Sequence, residues 1–182
     1  MRVTWIFLLL LAINVEARDL ASSSFEKKSW LVEVWTAGGK GLMGTTKDTG
    51  LWITGGRFGK FLTRKIEYDI EVVPVFMVFQ HTTVYGLNVT PLLLKWNMRT
   101  SGRFIPYIEG GGGLLFTSSE VPDGTSRFNF TPQVGVGLQL FSREKRALRT
   151  GIRYMHISNG GLESPNPGIN TLQFLIGYEW FK

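Results

Sequence analysis

The sequence predicts an all-β protein, a single eight-stranded antiparallel transmembrane β-barrel, on three observations. The chain breaks into eight strand-like runs separated by turn residues. Several of these runs alternate strictly between a polar or glycine face and an apolar face, the polar-inside, lipid-outside pattern of a membrane barrel. The composition agrees: 13% aromatic residues and 22 glycines accompany a net charge of +6. That mix suits aromatic girdles around a barrel better than a nucleic-acid binder, so no nucleic-acid partner is expected.

The N-terminus comes first. Residues 1–17 read as an export signal. Arg2 supplies a positive start, Trp5 to Val15 an apolar stretch too short to span a bilayer as a helix, and Val15-Glu16-Ala17 a small-x-small cleavage site. No later segment has the uninterrupted apolar length of a membrane helix, so an exported chain that spans a membrane must do so as a barrel, over 18–182.

The eight runs lie at about 29–37, 51–62, 65–79, 84–98, 103–116, 126–141, 147–158 and 169–182. In the third, Ile66, Tyr68, Ile70, Val72, Pro74 and Phe76 face out against Glu67, Asp69 and Glu71. The second and fourth alternate less well, and Pro91 marks a bulge in the fourth. The fifth carries Gly110 to Gly113; no Lys-Ser/Thr pair follows, so close packing inside the barrel is favoured over a phosphate loop. The sixth is cleanest. Arg127, Asn129, Thr131, Gln133, Gly135, Gly137 and Gln139 alternate with Phe128, Phe130, Pro132, Val134, Val136, Leu138 and Leu140. In the seventh, Leu148, Thr150, Ile152, Tyr154, His156 and Ser158 share the outer face, with Arg149, Gly151, Arg153 and Met155 on the inner one. The eighth turns Leu172, Phe174, Ile176, Tyr178 and Trp180 outward and Gln173, Gly177 and Glu179 inward. It ends in an aromatic assembly signal from which Lys182, after Phe181, is a small departure.

Long connections at about 38–50, 117–125 and 159–168 alternate with short turns. With both termini periplasmic, the loop after Ser158 lies outside the cell. An eight-stranded barrel is just wide enough to be filled by side chains. Glu67, Asp69, Glu71, Glu109, Arg149 and Arg153 must therefore pair inside it, as a structural network rather than a pore lining.

The absence of cysteine excludes a disulfide framework and a thiolate metal site, and two histidines argue against a His-built one, so neither metal nor cofactor is expected. The basic excess, with a pI near 9.7, is scattered. Lys27-Lys28, Arg64-Lys65 and Arg143-Glu-Lys-Arg146 read as solvated turns beside anionic head groups, and His81 as a solvated loop residue.

One constellation carries chemistry. Ester hydrolysis needs a nucleophile, a base beside it, a group that orients the base and an oxyanion donor. Ser158 and His156 project from the same strand face. Asn170 shares the parity of Leu172 and Phe174 and lies across the hairpin from His156. Asn166, Asn159 and the amides of Gly160 and Gly161 are candidate oxyanion donors. Taken alone, His-x-Ser and Asn-Gly-Gly are also ordinary turn chemistry. Strand parity and orientation strengthen the catalytic reading until it stands level with the turn reading.

The segment His156-Ile-Ser158-Asn159-Gly-Gly-Leu-Glu-Ser-Pro165-Asn166-Pro-Gly168 resembles the signature of the lipid A 3-O-deacylases, the PagL-type outer-membrane esterases. The resemblance extends through Arg127 to Gly137, Gly151 to Tyr154 and Gly177 to Phe181, most of the chain after the signal. It implies a Gram-negative outer-membrane serine esterase that removes the ester-linked acyl chain at position 3 of lipid A, without metal, from a site on the lipid-facing wall. Lipopolysaccharide and outer-membrane lipids would be its partners; a homodimer stays open. By position, Ser158 is then the nucleophile, His156 the general base and Asn166 an oxyanion-hole residue. The acidic member of the triad falls at Asn170, which has no carboxylate. An amide can accept a hydrogen bond from imidazole but cannot offset the imidazolium charge, so slower turnover is expected. Glu163 is a substitute carboxylate if its loop folds back. The rivals are a non-catalytic structural or adhesion barrel and an acyltransferase using the same serine.

Overall fold

The computed structural model describes residues 19–42 and 48–182; the expected export signal at 1–17 lies outside the described residues. Eight strands follow in chain order: β1 (Trp30–Gly41), β2 (Gly50–Phe61), β3 (Ile66–Phe79), β4 (Thr83–Asn97), β5 (Phe104–Thr117), β6 (Phe128–Arg143), β7 (Arg146–Ile157) and β8 (Ile169–Phe181). Each pairs antiparallel with the next, and β1 pairs with β8, so the barrel is closed. Closure satisfies every strand edge within the chain, the condition for a β-structure in hydrocarbon.

The alternation read from sequence is the alternation observed, with two corrections. Phe76 faces the lumen, not the lipid. Pro74 and Val75 both point outward, and the register of β3 against β4 shifts between Val73 and Phe76. Proline has no N–H for the ladder, so the strand bulges there and the parity of everything beyond it flips. A matching irregularity occurs in β4, where Pro91 and Leu92 both face out and the register with β5 shifts between Val89 and Leu92. Gly111 answers this bulge: a Cβ there would collide with the carbonyl of Leu92. Arg127 precedes β6 and is exposed rather than lumenal.

The interior has three layers. At the end that holds Asp19 and Lys182, Phe25 follows a short 3-10 turn (Ser22–Ser24) and closes the mouth. Its ring meets Phe61 at 5.4 Å, Phe141 at 5.7 Å and Phe181 at 5.9 Å. The Asp19 carboxylate tethers this segment by accepting from the Gly102 amide at 2.9 Å, which holds its pKa below the ordinary carboxylate value. At the opposite end, Trp35, Leu51, Ile53, Phe76, Met155 and Ile157 belong to a second apolar cluster.

Between the two lies a buried ion network. Arg57 meets Glu71 at 2.6 Å, Glu109 at 2.9 Å, Asp69 at 3.3 Å and Glu33 at 3.4 Å. Arg149 meets Glu33 at 2.7 Å, and Arg153 meets Glu109 at 2.8 Å and Glu71 at 2.9 Å. Lys95 bridges Glu67 at 3.0 Å and Glu179 at 3.1 Å. Tyr107 lies across this layer with Arg149 5.6 Å from its ring centre, in space left by Gly137 and Gly151. The acids and arginines expected inside do pair. Arg57, Lys95 and Glu33 complete the network.

Removing one partner from such a network leaves buried charge uncompensated, at a cost of about 3–5 kcal/mol. Arg57→Met is expected to lower the unfolding free energy by about that amount, measured by urea titration of the refolded barrel in lipid. A midpoint equal to the wild type would show that the network contributes no stability.

Candidate active site

Arg149 and Arg153 face inward into the ion network, so Tyr154 and His156 of β7 must face outward. On the neighbouring strand, Asn170 stands directly opposite His156, and Leu172 opposite Tyr154. β1 holds this level from the other side, where the amide of Leu42 donates to the main-chain oxygen of Asn170 at 2.8 Å. Three polar side chains meet here. His156 Nδ1 lies 2.7 Å from Asn170 Oδ1, and the Tyr154 hydroxyl donates to the same oxygen at 2.6 Å. An amide oxygen only accepts, so in this arrangement Nδ1 carries the imidazole proton and Nε2 presents its lone pair.

Ser158 lies just past the end of β7. It leaves the β7–β8 ladder and forms a bridge to Phe130 of β6, accepting from the Phe130 amide at 2.7 Å and donating to the Phe130 carbonyl at 3.2 Å through its main chain. Its side chain shares the outer edge with His156 but is not among the hydrogen-bond partners of the imidazole, whose side-chain partner is Asn170. Only 9% of Ser158 is exposed, so the nucleophile candidate is shielded from bulk solvent.

The β7–β8 loop sorts the oxyanion candidates. The Asn159 amide donates to Asn166 Oδ1 at 3.2 Å, Asn159 Nδ2 donates to the Glu163 carbonyl at 3.0 Å, and the Gly161 amide donates to Asn159 Oδ1 at 2.8 Å. Asn159 and Gly161 are therefore consumed in folding the loop. Among the described residues, the Gly160 amide and Asn166 Nδ2 donate to no other group of the chain, and they remain available to a developing negative charge. The Glu163 carboxylate does not substitute for the missing acid. Asn159 grips the Glu163 main chain and leaves its side chain exposed, without a hydrogen bond to His156.

Sequence reasoning missed two participants. Gly168 has φ +64° and lies against the imidazole; a Cβ built there would sit 2.6 Å from Cε1 and 3.1 Å from Nε2 of His156. The loop can close over the ring only with glycine at this point. Tyr154 reads in sequence only as one more residue of the outer face of the seventh run. Its spacing of two from His156 was the available signal, because residues i and i+2 flank the same cross-strand neighbour.

Below the polar cluster, the outer wall carries a groove of about 520 Å³ lined by Gly38, Lys40, Leu42, Ile152, Leu172 and Phe174 among others. Gly38 of β1 stands opposite Phe174, which stands opposite Ile152. The missing side chain at Gly38 makes the depression, and Lys40 lies at its loop-side end.

Comparisons with known proteins bear on the family and the fold. The sequence model of the lipid A 3-O-deacylase (PagL) family matches residues 25–179. The chain is 34% identical over 100 residues to the lipid A deacylase PagL of Bordetella bronchiseptica, covering 53% of this chain and 51% of that protein. It is 36% identical over 69 residues to the lipid A deacylase PagL of Pseudomonas aeruginosa, covering 36% and 38% respectively. In these alignments the chain spans about half, or less, of the length of the curated relatives. The crystal structure of the outer membrane enzyme PagL superimposes with a TM-score of 0.65 at 18% identity, over 80% of this chain and 97% of that one. Neisserial surface protein A does so with a TM-score of 0.64 at 12% identity, over 85% and 99%. The barrel fold is thus shared with proteins of different names, and the sequence match carries the assignment: the chain belongs to the lipid A 3-O-deacylase (PagL) family of outer-membrane β-barrels.

Proposed function

We propose that this barrel is an outer-membrane serine esterase that removes the ester-linked acyl chain at the 3-O position of lipid A. The observation that carries the reading is the 2.7 Å contact between His156 Nδ1 and Asn170 Oδ1 on the lipid-facing wall, beside Ser158. It leaves Nε2 as a proton acceptor at the level where a lipid's ester lies. His156 takes the Ser158 proton through Nε2, and Oγ attacks the ester carbonyl carbon. The Gly160 amide and Asn166 Nδ2 donate to the oxyanion. Collapse of the tetrahedral intermediate expels the sugar alkoxide, which His156 protonates. Water, deprotonated by the same nitrogen, then releases the fatty acid from the serine. The apolar groove of Ile152, Leu172 and Phe174 supports the reading by offering the acyl chain a continuous wall. Lys40 at its loop-side end suits an anionic head group.

Mass spectrometry of lipid A from cells expressing the chain should show the loss of one hydroxyacyl mass, and Ser158→Ala should abolish it. Identical spectra would return the protein to the non-catalytic barrels, and a gained or moved chain would make it an acyltransferase. Gly168→Ala should cut the rate by at least about tenfold, because the added carbon displaces the imidazole and strains a left-handed backbone. A wild-type rate in that variant would mean the loop does not set the ring. Asn170→Asp supplies a full counter-charge to the imidazolium. Charge-assisted hydrogen bonds are about twice as strong as neutral ones, so kcat/KM should rise by about tenfold or more. A fall would show that the site is built around the amide.

A further inference from the structure

An asparagine is an ambiguous partner for a histidine. Its two terminal atoms have nearly the same shape, but Oδ1 accepts and Nδ2 donates. If Oδ1 faces His156 Nδ1, the imidazole holds its proton on Nδ1 and Nε2 can act as a base. If the amide turns over, Nδ2 donates to Nδ1, the proton moves to Nε2, and the histidine can no longer accept from Ser158. A carboxylate has no such failure, since both its oxygens accept. A chain with asparagine at this position needs something else to choose the amide's orientation.

We infer that Tyr154 makes that choice, as a positioning residue that fixes the Asn170 amide and, through it, the tautomer of His156. The inference rests on the esterase reading of Ser158 and His156. Tyr154 faces the lipid side of β7, where its phenol body is 37% exposed and its hydroxyl donates to Asn170 Oδ1 at 2.6 Å. That oxygen also takes His156 Nδ1 at 2.7 Å, which uses both of its lone pairs. With the amide reversed, Nδ2 would donate to the tyrosine oxygen. The phenolic O–H would then lose its acceptor on the barrel, at the cost of a hydrogen bond. The outward neighbours supply none: Leu172 stands opposite Tyr154 on β8, and Val134 on β6. The apolar surroundings thus turn the hydroxyl into a donor, and a donor selects Oδ1.

The test uses the refolded barrel labelled with ¹⁵N-histidine, in detergent micelles at mildly alkaline pH. The chain has two histidines, and His81→Gln, in the β3–β4 loop, assigns the signals. The wild type is expected to show His156 in the Nδ1–H form, and Tyr154→Phe a shift toward Nε2–H. An unchanged tautomer in Tyr154→Phe, or Nε2–H in the wild type, overturns the inference whether or not the protein cleaves lipid A. The second arm is kinetic. Tyr154→Phe should lower kcat by about tenfold, the worth of one hydrogen bond that selects between two states. In the Asn170→Asp background the same change should cost less than about twofold, because a carboxylate needs no orienting. Equal losses in both backgrounds would make Tyr154 a substrate contact or a packing residue and sink the proposal. A wild type without deacylase activity sinks the esterase reading alone, and the tautomer measurement still decides the role of Tyr154.

Discussion

The buried ion network governs the geometry of the rest of the molecule. Arg149 and Arg153 are two turns of the pleat apart on β7, and both insert between carboxylates supplied by β1, β3 and β5. A one-residue slip of β7 would place two guanidinium groups in hydrocarbon and His156 in the lumen. The charges in the interior therefore hold His156 on the exterior. They also fill the middle of the interior: apolar clusters close both ends, and the buried charges between them pair across the lumen.

The outer polar cluster obeys the same rule in miniature. Polar groups at a lipid-facing wall must find partners among themselves. Tyr154, His156 and Asn170 do so on a single oxygen, at the end of the strand pair rather than its middle. This position would suit the interfacial reaction proposed above. Acyl chains can lie along the apolar wall toward the bilayer centre, while the ester and the sugar stay at the level of the loop. The β7–β8 loop is itself organised by Asn159, which is fully buried and ties together Gly161, Glu163 and Asn166. Two of the donors that could have served an oxyanion are used to build the loop that presents the other two.

On the proposed esterase reading, an amide at Asn170 in place of an acid changes what the site must control. A carboxylate orients an imidazole by charge and is indifferent to which oxygen is used. An amide orients it by direction alone, so the proposed base would depend on the neighbours that set that direction. The crowding of Gly168 onto the imidazole edge belongs to the same economy, since the ring is confined by loop backbone on one side and by Asn170 on the other.

Much of this was legible in the sequence, because a barrel between lipid and a packed lumen writes a period of two into its strands. β6, β7 and β8 show that period plainly, and with it the placement of His156, Ser158 and Asn170 on one wall. β2 and β4 were obscured because the lumen is apolar near both ends: inward Leu51, Ile53 and Phe61 look like their lipid-facing neighbours, and Arg57 and Lys95 are isolated among them. The Pro74–Val75 bulge, and with it the inward turn of Phe76, depends on how β3 meets β4. The residue types determined the fold class, the outward face of β7 and the chemistry available there. Only the tertiary structure decided that Tyr154 shares the Asn170 oxygen, that Gly168 covers the imidazole and that Asn159 withdraws from the oxyanion set. Those outcomes rest on cross-strand register and loop closure, which bring together atoms whose separation along the chain carries no periodic signal.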